Sequence, residues 1–214
     1  MPESPFPTQL RQANAALVYL LNKGIPPSNI ILSGDSAGGN LVLQLASHIL
    51  HPLPSIPPPP KLSEPLAGGV LISPWNALSV DAPSYTRNNG KDVLLIPAYK
   101  FVLGLASAGV TPEVRSYGEP LSAPPSWWQG LDTVYARLLI TAGEYECPFD
   151  HVMQSSNILS RYVRDTTTVV EPLAAHGEVV IRFGTSEGGR GHKDYESIIA
   201  FLFRSFDGES KHNL

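Results

Sequence analysis

Apolar residues first recur at helical spacing. Leu10, Ala13, Leu17, Leu20 and Leu21 share one face of a helix expected over residues 8–23, with Gly24 in the C-cap place and Pro26 and Pro27 preventing continuation. The pattern then becomes a continuous apolar run, Asn29-Ile30-Ile31-Leu32-Ser33, as in a strand buried on both faces of a parallel sheet. Leu41, Leu45 and Ile49 repeat every four residues, so a helix follows to about residue 50. Further strands are expected at Leu66–Ser73, Arg137–Ala142 and Val179–Phe183. Helices are expected near Ala98–Ala108, over 149–164 and at Asp194–Phe206, the last with Tyr195, Ile198, Ile199 and Leu202 on its apolar face. Strands alternating with helices predict an α/β fold, a mostly parallel sheet with flanking helices. No internal repeat is present, and residues 1–214 read as a single domain.

Two segments break the alternation. Residues 51–65 are proline-dense, with four consecutive prolines from Pro57 to Pro60 that favour an extended connector. Residues 74–130 are irregular and rich in Pro, Gly and Ser, the pattern of a lid or cap-like insertion.

Composition narrows the function classes. With 43% hydrophobic residues in 214 the chain can bury a core. A formal net charge of −4 and no basic run argue against a nucleic-acid partner. No apolar run is long enough for a membrane span, and no secretory signal is visible in MPESPFPTQL. The one cysteine, Cys147, can form neither an internal disulfide nor a thiolate metal site. A reducing, cytoplasmic setting with no metal and no cofactor is the expectation.

The chemistry-bearing motif is Gly34-Asp35-Ser36-Ala37-Gly38, a G-x-S-x-G sequence between the first strand and its helix. A serine on such a turn is lifted out of the sheet as a nucleophile. The flanking glycines avoid steric clash, and the helix start points free N–H groups, that of Ala37 first, at an oxyanion. Gly184-Thr185-Ser186-Glu187-Gly188 matches the same pattern, but loop sequence follows it and Ser186 has no acid at a strand end after it.

A serine hydrolase of this order needs an acid and then a histidine downstream. His48 and His51 lie on or just past the helix after the turn and read as surface residues; His151 lies on a helix and His212 in the tail. His192 follows the expected fourth strand and precedes the last helix, where a base reaches the crevice at the carboxyl ends of the strands. His192 is therefore the expected base, with His176 in reserve. Glu144, Glu146 and Asp150 all follow the third strand, and spacing alone does not separate Glu144 from Glu146.

GDSAGGN, LISPW, YGEPLSAP, SWWQGL, LLITAGEYECPFD and a GH before the closing helix resemble the hormone-sensitive-lipase-like branch of the α/β-hydrolase superfamily, particularly its fungal esterase-like members. The likeness runs from about residue 8 to residue 206. It implies a serine carboxylesterase or lipase-like enzyme acting on short to medium acyl esters. It points to Glu146 as the acid, with Asp150 as the trailing acidic residue, although Cys147-Pro148 departs from the family's commoner Asp-Pro-Leu wording. It places the substrate wall in residues 74–130, including Trp75, Trp127 and Trp128, which ordinary packing would explain equally well.

The family's His-Gly-Gly-Gly stretch, which completes the oxyanion hole, does not occur in the 35 residues before Ser36. The sequence therefore resembles the C-terminal portion of such a hydrolase. A truncated, non-catalytic or weakly active relative is the alternative, as is self-association through a bare sheet edge. A dinucleotide-binding reading fails, because the spacing is G-x-S-x-G-G and no acid ends a strand about 20 residues later.

Overall fold

The computed structural model describes residues 3–184 and 190–206. Four parallel strands form one sheet: β1 (Ile31–Asp35), β2 (Gly68–Ile72), β3 (Leu138–Gly143) and β4 (Thr166–Glu171), in that spatial order. The two central strands carry the core. Every residue of β3 is buried, as are four of the five in β2, while β1 and β4 are largely half-buried, as edges are. Leu71, Leu138 and Ile140 are sealed from solvent together with Leu10, Leu43, Leu66, Leu131 and Trp128. Each such side chain contributes about 1.5–3 kcal/mol by its removal from water.

Helices α1 (Thr8–Asn22) and α2 (Ala37–Leu50) fall close to their expected places. Segment 74–130 contains α3 (Pro83–Asn88), α4 (Ile96–Ala106), α5 (Arg115–Gly118) and several single-turn 3-10 helices. Helix α6 (Phe149–Leu159) ends five residues before its expected limit, and α8 (Lys193–Phe206) is the last described element.

One strand is misplaced by the sequence reading. Val179–Phe183 is not a strand; it belongs to a short helix, α7 (Glu178–Phe183). Gly177, at φ 64°, opens this helix, and an Arg182–Glu178 ion pair spans one turn of it. Of its apolar residues Val179 is buried in the core, whereas Val180, Ile181 and Phe183 are exposed. The fourth strand is the earlier TTTVVE, whose three threonines hide it among polar residues.

The proline-dense segment is a packed connector. Asn14 Nδ2 donates to the carbonyls of Pro57 (3.0 Å) and Pro58 (3.3 Å), and His48 Nε2 donates to Pro57 O at 3.0 Å. His48 is thus not a surface residue but fully buried, and its Nδ1 accepts from the Leu53 N–H. Among the described residues no helix is long and apolar enough to cross a membrane, and no group of three or more His, Cys, Asp or Glu could hold a metal ion.

Candidate active site

All four strands deliver residues to one end of the sheet, their carboxyl ends, where sites in open α/β sheets lie. Ser36 follows β1, Ser73 follows β2, Glu146 follows β3 and His176 follows β4. The parallel register keeps these ends level, pairing Asp35 with Ile72, Ile72 with Thr141 and Gly143 with Glu171.

Ser36 sits at φ 50°, ψ −113°, a conformation that side chains rarely adopt. The turn is held by backbone bonds from Ser36 N–H to Ile72 O (2.9 Å) and from Trp75 N–H to Ser36 O (3.0 Å). Gly34 permits it: a Cβ there would lie 2.2 Å from the Gly38 carbonyl carbon. Gly38 itself has open space on its Cβ side, so crowding explains the first of the flanking glycines and not the second.

Ser36 Oγ lies 2.8 Å from His176 Nε2, and His176 Nδ1 lies 3.0 Å from Glu146 Oε2. The carboxylate can only accept, so Nδ1 carries the proton and Nε2 is free to accept from the serine hydroxyl. Glu146 is fully buried and His176 nearly so. Burial pushes the Glu146 carboxyl up, opposed by the hydrogen bond and charge of His176 and by the Ser73 hydroxyl. Burial lowers His176, but the hydrogen bond and charge of Glu146, helped by Asp92 and Asp35, outweigh it and leave the imidazole raised. The imidazole is held above its ordinary value because the buried carboxylate accepts its Nδ1 proton.

His192, the expected base, is elsewhere. Its Nδ1 lies 3.1 Å from Glu171 Oε1, at the outer edge formed by β4 and α8. The physical reason is the displaced strand: His176 follows the true β4, whereas His192 follows α7. The other acids are also occupied. Glu144 Oε2 accepts from Leu173 N–H at 2.9 Å, and Asp150 accepts from Ser84 N–H at 2.8 Å and pairs with Arg87. Ser186 and His212 lie outside the described residues.

The histidine loop approaches β3 closely. A Cβ on Gly143 would stand 2.4 Å from Ala174 O, so only glycine lets the loop between β4 and α7 reach the acid. The Cys147 thiol, beside Glu146, is buried and pushed up by that burial to about 12, which leaves it unreactive.

Beside the serine turn, a cavity of about 300 Å³ is lined by Phe6, Ala37, Leu41, Trp75, Val102 and Leu105, among others. Of the three tryptophans only Trp75 lines it. Trp127 packs against His51 (centroids 3.9 Å apart) and bonds Ser47 Oγ, and Trp128 is core.

An acetyl-hydrolase of Streptomyces hygroscopicus is 38% identical over 97 residues, covering 44% of this chain and 28% of that protein. An esterase of Acinetobacter venetianus is 35% identical over 94 residues, again 44% and 28%. A crystal structure of an esterase from the bacterial hormone-sensitive lipase family superposes with a TM-score of 0.72 at 27% identity, covering 94% of this chain and 60% of that one. The matches cover 28% of each of the two named relatives and 60% of the solved chain, under two thirds in each case. The model of the family described as alpha/beta hydrolase fold matches residues 1–180, and the chain belongs to that family.

Proposed function

We propose that this chain hydrolyses small-molecule carboxylic esters through Ser36, His176 and Glu146. The single observation that carries this reading is the continuous line Ser36 Oγ–His176 Nε2, His176 Nδ1–Glu146 Oε2, at 2.8 and 3.0 Å. Ser36 Oγ attacks the ester carbonyl carbon while His176 Nε2 takes the hydroxyl proton. Glu146 holds the ring and stabilises the imidazolium. The first-turn amides of α2, beginning with Ala37 N–H, have no partner within the helix and face the developing oxyanion. Collapse expels the alkoxide, which receives the proton from Nε2. Water, deprotonated by the same nitrogen, then attacks the acyl-serine and releases the acid. The apolar cavity beside Ala37 suits a short to medium acyl chain, and segment 74–130 supplies part of its wall.

A weakly active form of the same enzyme is the second reading. The donors nearest to Oγ in sequence are the first-turn amides of α2. An oxyanion site served by these amides alone would be short of a donor, and removing one such donor costs on the order of 10²–10³ in turnover. Among the described residues β1 pairs on one side only, with β2, and that edge supports self-association of the chain. Hydrolysis of a short-chain p-nitrophenyl ester by the wild-type chain, lost in Ser36→Ala, tests the reading. Activity that survives Ser36→Ala would overturn it.

A further inference from the structure

The acid and the histidine sit on two different loops, and one side chain from a third segment ties both. Asp92, in the turn between α3 and α4, points its carboxylate between them. Its Oδ2 accepts from the Cys147 backbone N–H at 2.6 Å, one residue after Glu146. Its Oδ1 accepts from the backbone N–H of His176 at 2.8 Å. The same carboxylate accepts from the Tyr99 hydroxyl (2.9 Å) and, on its exposed side, from the neighbouring Val93 N–H (2.7 Å). Two neighbours strengthen the grip on the acid loop. Asn88 Nδ2 donates to Glu146 O at 2.8 Å, and Ser84 Oγ donates to Cys147 O at 2.6 Å.

We propose that Asp92 is a positioning residue that sets the separation of Glu146 and His176 by holding both of their loops on one carboxylate. This rests on the reading of Ser36, His176 and Glu146 as the reacting set. Asp92 touches neither substrate nor the reacting atoms; it acts through the backbone of the two loops. Charge-assisted bonds from N–H groups to a carboxylate are short and strong, which suits a fixed strut. Displacing a catalytic group by about 1 Å can cost on the order of 100-fold in rate. The arrangement also makes segment 74–130 part of the catalytic apparatus, since Asp92 belongs to that insertion and not to the sheet.

Asp92 carries a second, electrostatic consequence. The charges facing His176 are Glu146 from the loop after β3, Asp92 from the insertion and Asp35 from the end of β1, with the Tyr99 ring of α4 packed at 6.0 Å. Replacing Asp92 by asparagine removes one negative charge, so the imidazole should lose its proton more readily. The acid limb of kcat/KM should then move to lower pH.

The experiment compares wild type, Asp92→Asn and Asp92→Glu in steady-state ester hydrolysis from pH 5 to 9, with circular dichroism to confirm folding. The asparagine amide presents N–H to one of the donors, so kcat should fall on the order of 10- to 100-fold with KM within about threefold. The acid limb should shift downward. Glutamate, which keeps the charge, should recover part of kcat and leave the limb in place. Wild-type kcat in folded Asp92→Asn, or a loss confined to KM, overturns the proposal. If Asp92→Asn does not fold, wild-type kcat in Asp92→Glu overturns it. Absence of hydrolysis in the wild type itself overturns the functional reading on which the proposal rests, an outcome distinct from any Asp92 effect.

Discussion

Ser36 and Ser73 end adjacent parallel strands, and both hold positive φ, 50° and 43°, on non-glycine backbones. The first presents its hydroxyl to His176. The second accepts from the Gly177 N–H at 3.2 Å, so it fixes the residue after the histidine. Two strained serines side by side mark this end of the sheet as the place where the fold spends stability on geometry.

That strain is measurable. Ser36→Gly and Ser36→Ala both lose the hydroxyl, but only glycine relieves the backbone. Ser36→Gly is expected to be about 1 kcal/mol more stable than Ser36→Ala in urea denaturation, after its larger unfolded-state entropy is counted. Equal stability would mean that the turn is not strained.

The two glycines of the turn should behave oppositely. Gly34→Ala would place a methyl 2.2 Å from backbone and is expected to cost about 3 kcal/mol or more. Gly38→Ala meets nothing within 4 Å and lies in the first turn of α2, so its stability is expected to hold or rise by up to about 1 kcal/mol. Denaturant midpoints of both variants check this.

The pH dependence follows from His176. The imidazole takes the serine proton only when neutral, and its pKa is raised above 6.5. Activity is therefore expected to fall as pH drops through a value above 6.5. Glu146→Gln removes the largest raising influence, so the limb should move to lower pH while kcat drops on the order of 10³–10⁴. A limb that stays in place in Glu146→Gln would contradict the pairing.

His192→Gln separates the expected histidine from the observed one. His192 pairs with Glu171 away from Ser36, so its kcat is expected to stay within about threefold of wild type, whereas His176→Ala should lose nearly all activity. Ester hydrolysis by the two variants decides.

That contrast also shows what the sequence could and could not reveal. Ser36 was legible because glycines, an apolar strand and a periodic helix agree around it. The fold class was legible from the buried runs of β2 and β3. The histidine was not, because β4 is an edge strand whose half-buried surface tolerates Thr166, Thr167 and Thr168. Val179, Val180 and Ile181 look more strand-like, yet Gly177 and the Glu178–Arg182 pair turn them into a helix; context overrides strand propensity. Asp92 carried no signal at all, since a lone acid in an irregular segment gives no sign of which distant N–H groups it will accept.

The free edge of β1 gives a separate expectation. Ser33 lies exposed on that strand beside half-buried Ile31 and Leu32. The chain is expected to sediment as an oligomer, and Ser33→Lys should shift it towards monomer by placing a charge on the edge. A wild-type monomer in sedimentation velocity would contradict self-association.

The central claim is that Ser36 is the nucleophile activated by His176. A fluorophosphonate probe followed by peptide mass mapping measures this directly. Covalent label on Ser36 in the wild type, slowed sharply in His176→Ala and unaffected in His192→Gln, is the expected result. No label on Ser36, or label that persists at the wild-type rate in His176→Ala, would contradict it.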